Sequence, residues 1–275
     1  MGILGALELN NYPIGEQMSV LAGLVAALAD GSIEVVDLTT PLSRDTPILN
    51  LPQPFANTVG LSLSPVSNFD DAGPGWAWND VTVGEHAGTH LDAPVHWITG
   101  RDGKSVDQIE ASRLIGPLVV IDKSAEAAEN PDFLLEPEDF EKWQGEHGQL
   151  PDNCWVIFRT GWSSRGGNAA DFINADEAGP HTPGVSVAGA QWIAANASIS
   201  GFGVETVGID AGQAANLDPM FPVHAFLLGA DKYGLTSLRQ VERLPVVGAT
   251  LVVAPLPIVG GTGSPTRVFA LVEPS

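Results

Sequence analysis

The sequence predicts an α/β fold. Short apolar runs typical of strands alternate along the chain with segments of helical pattern. The chain has 275 residues, of which 44% are hydrophobic, and this is enough to bury one large core. Many of its 31 glycines and 21 prolines lie between the apolar runs, as in a loop-rich α/β protein rather than a helical bundle. We find no repeat and no linker, and therefore predict a single domain over residues 1–275, in which residues 1–32 form an N-terminal helical extension.

The predicted elements follow in chain order. Apolar periodicity predicts helices over residues 20–29, 136–143 and 187–195, and one that begins at Phe221 or Pro222 and carries His224. Alternating or continuous apolar runs predict strands over residues 33–38, 58–64, 81–85, 117–122, 154–160, 203–209, 250–255 and 267–272. Gly-rich or irregular composition predicts loops over residues 67–79, 161–185 and 260–265.

The composition excludes several functional classes. A formal net charge of -21 with only 12 basic residues argues against binding to nucleic acid or to an anionic membrane, and favours a small neutral substrate. The single cysteine, Cys154, excludes an intrachain disulfide, and its apolar neighbours predict a buried thiol. The first 30 residues contain no Lys or Arg with which a secretory signal would begin. We therefore predict a cytoplasmic protein.

Three of the six histidines lie in one window of the sequence, His86-Ala-Gly-Thr-His90-Leu-Asp92-Ala-Pro-Val-His96. In an extended chain the side chains of His90 and Asp92 leave on one face, and His86 shares that face in strand or helix. Two imidazoles and a carboxylate suit zinc, manganese, iron or cobalt. A structural zinc site would use four protein ligands, with cysteine prominent, so this set predicts a catalytic metal with room for water.

The string His-x-Gly-Thr-His-x-Asp-x-Pro-x-His resembles the signature of the metal-dependent cyclase family, which includes bacterial kynurenine formamidases and isatin hydrolases. Segments 37–43, 208–213 and 261–267 also resemble that family. The resemblance implies a mixed sheet in a small barrel-like, swivelling β/β/α domain that assembles as a homodimer or homotetramer. It further implies that His86, His90 and Asp92 bind the metal, and that His96 is either a catalytic residue or a histidine that contacts the metal ligands without binding the metal.

One position separates the branches of this family. The formamidase branch binds two metals and uses a Glu where Thr236 stands here, so the resemblance favours the isatin hydrolase branch with one metal per chain. In that branch the metal is typically Mn²⁺, with Zn²⁺ as the alternative, and Gln213 would be the fourth ligand. Ser237 would serve as a water or proton-path residue, and His224 as a substrate contact. Asp210 is expected to orient a ligand or cap a turn.

The residues predict a metal-dependent hydrolase with His96 as the base, and the resemblance implies that it opens a cyclic amide such as isatin by attack of metal-activated water. Alternatives are an arylformamidase acting on N-formylkynurenine, a lactone hydrolase of the dienelactone type, and a metal-dependent binding protein without turnover. A small aromatic substrate needs apolar walls, for which Phe55, Trp78 and Trp97 are candidates.

Overall fold

A computed structural model of the chain describes residues 19–51 and 53–274. Over these ranges it contains fourteen strands and five α-helices. The helices are α1 (Val20–Asp30), α2 (Ser124–Glu129), α3 (Pro137–His147), α4 (Ala169–Ile173) and α5 (Val187–Ala195). The strands are β1 (Glu34–Asp37), β2 (Ser62–Asn68), β3 (Ala77–Thr82), β4 (His90–Asp92), β5 (Ile115–Asp122), β6 (Leu134–Leu135), β7 (Cys154–Arg159), β8 (Ala175–Asp176), β9 (Gly179–Pro180), β10 (Gly184–Val185), β11 (Ile199–Val204), β12 (Tyr233–Thr236), β13 (Ala249–Pro255) and β14 (Gly263–Val272).

Seven of these strands close into a barrel, in the order β14-β13-β5-β7-β11-β12-β4, and β4 pairs back to β14. The run β5-β7-β11-β12 is parallel, whereas the remaining pairs around the barrel are antiparallel. Strand β1 pairs antiparallel with the C-terminal part of β14, on the edge opposite β13. The predicted α/β class and the mixed, barrel-like sheet are thus confirmed.

Two apolar clusters hold the barrel together. One contains Leu91, Trp155, Tyr233 and Leu251, and the other contains Val156, Phe158, Phe202 and residues of α3 and α5. Because successive side chains of a strand point to opposite faces, a strand such as β7 must be apolar throughout when both faces are buried. The lone cysteine, Cys154, is buried in this strand, and burial raises the pKa of its thiol to about 11, so it is a poor nucleophile at neutral pH.

Most predicted elements are confirmed within a few residues, and helix α5 coincides with its prediction. Three predicted strands are wrong in position. The strand predicted over residues 58–64 is β2, at Ser62–Asn68. The predicted strand over residues 81–85 ends at Thr82, and Glu85 and His86 lie in the following turn. The strand predicted at residues 203–209 is β11, at Ile199–Val204. Gly201 interrupts the apolar pattern by which this strand would be predicted. The structure requires glycine there, because a Cβ would lie 2.2 Å from the indole of Trp155.

The N-terminal segment was predicted to be helical as far as residue 32. Helix α1 covers Val20–Asp30, where the apolar pattern predicts a helix, and Ser19 caps it by accepting a hydrogen bond from the Ala22 N–H; the extension as a unit stays a prediction. None of its residues is buried against the rest of the described chain. Residues 1–18 of the predicted extension lie outside the described residues. No helix in the part of the chain that the structure describes has the length and apolar character needed to span a membrane.

Candidate metal centre and active site

The site lies where the barrel closes. Strand β4 has only three residues, and its Asp92 is in register with Gly234 of β12 on one side and Gly263 of β14 on the other. A Cβ at position 234 would lie 2.9 Å from Oδ2 of Asp92, and one at 263 would lie 2.6 Å from the ring of His86. Glycine at both neighbours therefore leaves room for the polar side chains.

Asp92 is the centre of a histidine cluster. Its Oδ1 lies 2.7 Å from Nδ1 of His86 and 3.3 Å from Nε2 of His90, and its Oδ2 lies 4.0 Å from Nε2 of His224. Burial alone would raise the pKa of Asp92. The charges and hydrogen bonds of His90 and His86 outweigh that effect and hold the pKa well below 3.8, so Asp92 is an anion at neutral pH.

The donor set fits a divalent cation. Oδ2 of Asp92 is buried and has no hydrogen-bond partner among the described residues. Nδ1 of His90 lies 2.7 Å from the carbonyl oxygen of Gly88, which can only accept, so Nδ1 carries the proton and the lone pair of Nε2 faces Asp92. A buried carboxylate needs a compensating positive charge, which protonated imidazoles supply without an ion and which a divalent cation would supply when the ring lone pairs face Asp92. The ligand atoms of His86, Asp92 and His96 lie within 4.8 Å of one another, as a shared metal ion would need.

His96 reaches this cluster from the short turn Pro94–His96. Its ring stacks on that of His86, with centroids 3.8 Å apart. Burial, together with repulsion from the other histidines, lowers the pKa of His96 to about 3 against the attraction of Asp92. His96 is therefore neutral at physiological pH, and its free lone pair can accept a proton or bind a cation.

His224 and Asp210 form a dyad on the opposite side of Asp92. His224 begins a π-helical turn, His224–Leu228, and its Nδ1 lies 2.5 Å from Oδ2 of Asp210. Asp210 also accepts the backbone N–H of Val223 and that of His224. Burial lowers the pKa of His224, but the hydrogen bond and charge of Asp210, aided by the charge of Asp92, raise it overall. Asp210 thus fixes the ring so that Nε2 faces the cluster, which agrees with the orienting role expected for it.

The predicted aromatic walls separate into two groups. Trp97 packs against the ring of His224, with centroids 4.7 Å apart, and against Phe221 at 5.7 Å. From the sequence, Phe221 is predicted only as the start of a helix, and no pattern marks its left-handed backbone (φ 54°) or its contact with Trp97. Phe55 and Trp78 are each 58% exposed on the described chain. Their place in the pocket stays a prediction.

Three further residues that the sequence singled out, Gln213, Ser237 and Thr236, make different contacts. Gln213 donates its amide to Pro180 O at 2.9 Å and accepts from Asn216, so its role as a metal ligand stays a prediction. Ser237 has a left-handed backbone, and it lines a small enclosed cavity together with Thr40 and Gly88. Thr236 is fully buried, and its hydroxyl lies 2.9 Å from Nδ1 of His90.

Comparisons with known proteins agree with this geometry. The Cyclase family model matches residues 36–211. The chain is 46% identical to the isatin hydrolase of Roseibium aggregatum over 257 residues, which cover 92% of this chain and 97% of that protein. It is 29% identical to the kynurenine formamidase of Salinibacter ruber, over 68% of this chain and 76% of the relative. The fold is similar to the crystal structure of an isatin hydrolase bound to the product analogue thioisatinate, with a TM-score of 0.90, 46% identity, and coverage of 94% of this chain and 100% of that one.

Proposed function

The chain belongs to the Cyclase family, and from this premise we propose that it is a metal-dependent hydrolase that opens the cyclic amide of isatin or a close analogue. The observation that carries the proposal is the buried Asp92, whose unpartnered oxygen faces a cluster of histidines. The 46% identity to an isatin hydrolase over nearly the whole of both chains supports the substrate class.

We assign the metal to His86, His90 and Asp92, with Gln213 as a possible fourth protein ligand and one Mn²⁺ per chain. When bound, the metal polarises the substrate carbonyl and acidifies a water molecule. Because Asp92 is the one carboxylate of the three, a divalent ion keeps a net positive charge, which favours the anionic intermediate of amide hydrolysis. His96 stacks on the ring of His86 from the turn after β4 and lies beside these ligands, with its lone pair left for proton transfer.

The protein's own groups handle the proton and the ring. Asp210 accepts the Nδ1 proton of His224, so Nε2 is free to accept a proton from water or donate one to the leaving nitrogen. His96 is neutral and offers a second acceptor, and Ser237 provides the predicted route for a proton or water beside the enclosed cavity. Trp97 and Phe221 offer apolar surface next to His224 for a planar substrate.

The test combines metal counting with a substrate panel. Metal-free protein is reloaded with Mn²⁺ or Zn²⁺, the bound metal per chain is measured, and turnover of isatin, N-formylkynurenine and a dienelactone is compared. We expect one metal per chain and fastest turnover of isatin, because Thr236 replaces the carboxylate that a two-metal formamidase uses. Two bound metals would refute the single site, and absence of isatin turnover with either metal would refute the substrate class.

We also infer that the enzyme is a homo-oligomer. Both faces of the β2–β3 hairpin are largely exposed, and apolar side chains project from it and from α1, namely Val20, Leu21, Val25, Leu63, Trp78 and Val81. Exposed apolar surface of this kind marks a protein interface. Light scattering during gel filtration should give the mass of at least two chains, and a monomer at micromolar concentration would contradict the inference. The cytoplasmic location stays a prediction.

A further inference from the structure

His86 has a second set of contacts on the side of its ring away from Asp92. Its Nε2 lies 2.8 Å from the hydroxyl oxygen of Thr262. That hydroxyl donates to Oε2 of Glu85 at 2.6 Å, and the backbone N–H of Thr262 donates to the same oxygen at 3.1 Å. A continuous chain of hydrogen bonds therefore leads from Glu85 through Thr262 to His86.

The direction of these hydrogen bonds follows from the chemistry of the groups. A carboxylate can only accept, so Thr262 uses its one hydroxyl proton on Glu85. The Thr262 oxygen can then only accept from His86, and Nε2 of His86 must carry a proton. The other ring nitrogen, Nδ1, is left to face Oδ1 of Asp92 at 2.7 Å.

We propose that Glu85 and Thr262 are positioning residues that fix the tautomer and ring orientation of His86, so that Nδ1 is the metal-binding atom. The proposal rests on the metal site proposed above and assigns to it a carboxylate–threonine–histidine relay. Outer partners of metal-binding histidines fix the tautomer and raise the basicity of the ring, and losing one typically costs 10–100-fold in metal affinity.

The backbone ties this relay to the other side of the site. The carbonyl of Thr262 accepts the N–H of Ala93 at 3.0 Å, and the next residue, Gly263, is in register with Asp92. These backbone contacts fix the position of Thr262 relative to Asp92. The hydrogen bond from His86 to Thr262 therefore fixes His86 relative to Asp92 as well. Neither Glu85 nor Thr262 can be assigned this role from the sequence, because the two residues are 177 positions apart in the chain.

The experiment measures Mn²⁺ affinity by competition with a chelating dye. Thr262→Val removes the hydroxyl and keeps the shape, and we expect affinity to fall about 10–100-fold. Thr262→Ser restores the hydroxyl and should bind like the wild type, whereas Glu85→Gln, which permits the reversed direction of donation, should fall between them. Thr266→Val is the matched control, because Thr266 is a buried threonine of β14, the strand that follows Thr262, and its hydroxyl makes only a long contact of 3.5 Å to Arg267 O; the affinity of this variant should not change.

A second measurement needs no metal. In protein labelled with ¹⁵N-histidine, the ring Nε2–H of His86 should exchange slowly in the wild type and in Thr262→Ser, and rapidly in Thr262→Val; a His86→Asn variant identifies the signal. Wild-type affinity in Thr262→Val, or an unchanged exchange rate, overturns the relay. A wild-type protein that binds no metal would instead overturn the proposed function, so the two failures are distinguishable.

Discussion

Replacing Gly263 by alanine should damage the metal site without removing any of its ligands. An ideal Cβ at this position would lie 2.6 Å from Cε1 of His86, 3.1 Å from its Nδ1 and 2.5 Å from the carbonyl oxygen of Leu91. Relaxed contacts between carbon atoms are at about 3.5 Å, so the ring must retreat by roughly 1 Å. It cannot do so and keep both the contact with Asp92 at 2.7 Å and that with Thr262 at 2.8 Å.

The magnitude follows from this displacement. Overpacking of this kind costs about 1–3 kcal/mol of folding free energy. A misplacement of about 1 Å can lower the rate by about 10²-fold. We therefore expect Gly263→Ala to bind Mn²⁺ at least about 10-fold more weakly than the wild type, which is the effect of losing a residue that hydrogen-bonds to a metal ligand. We also expect its kcat/KM to fall by about two orders of magnitude.

The control for this variant is Gly208→Ala, because no atom lies within 4 Å of a Cβ at that position. Dye competition gives the metal affinity, steady-state kinetics with isatin gives kcat/KM, and thermal unfolding shows that each variant is folded. A folded Gly263→Ala protein with the metal affinity of Gly208→Ala would refute the reasoning, because His86 would then not need the orientation that the structure gives it.

Three further changes test other parts of the molecule. Asp210→Asn should leave the metal affinity unchanged and lower kcat by about 10²–10⁴-fold, because the neutral amide no longer holds the proton on Nδ1 of His224 as the carboxylate does. An unchanged kcat would exclude the dyad from catalysis. Gly201→Ala should lower the free energy of unfolding in urea by about 1–3 kcal/mol, because its methyl group would overlap Trp155, and a neutral effect would show that the barrel yields there. Burial lowers the pKa of Lys232 to about 8 from 10.5, so the unfolded chain binds more protons between these values and stability should rise with pH across that window. Lys232→Met should lack this component of the rise, as urea unfolding at pH 8 and pH 10 would measure, and equal slopes for both proteins would contradict the shifted pKa.

The elements that the sequence predicts well are those with a continuous apolar pattern. Strand β7 and helix α5 carry such patterns, and both lie close to where the periodicity places them. Strand β11 does not, because Gly201 and Gly203 replace side chains that would meet Trp155 and Ile157. By strand propensity alone, these glycines predict the end of a strand, whereas close packing against the side chains of the neighbouring strand β7 requires them.

The same distinction applies to the site. The window from His86 to His96 could be identified because its residues are close in sequence and their types suit a metal. Glu85, Thr262 and Phe221 could not, since each acquires its contact only when distant segments meet. Local spacing therefore predicts which residues supply the chemistry, but the partners that orient them depend on the pairing of β4 with β14.

Closure of the barrel explains why the chemistry is located at β4. This strand joins the parallel run to the antiparallel strands, through β12 on one side and β14 on the other. Each neighbour brings a glycine to Asp92 and a hydroxyl to one histidine, Thr236 to His90 and Thr262 to His86. The two sides are chemically different, because the hydroxyl proton of Thr262 is taken by Glu85, whereas His90 already donates Nδ1–H to the Gly88 carbonyl. The ring of His86 is thus oriented by a side chain from the segment just before β14 and that of His90 by the Gly88 carbonyl two residues earlier, so changes in that segment should affect His86 first.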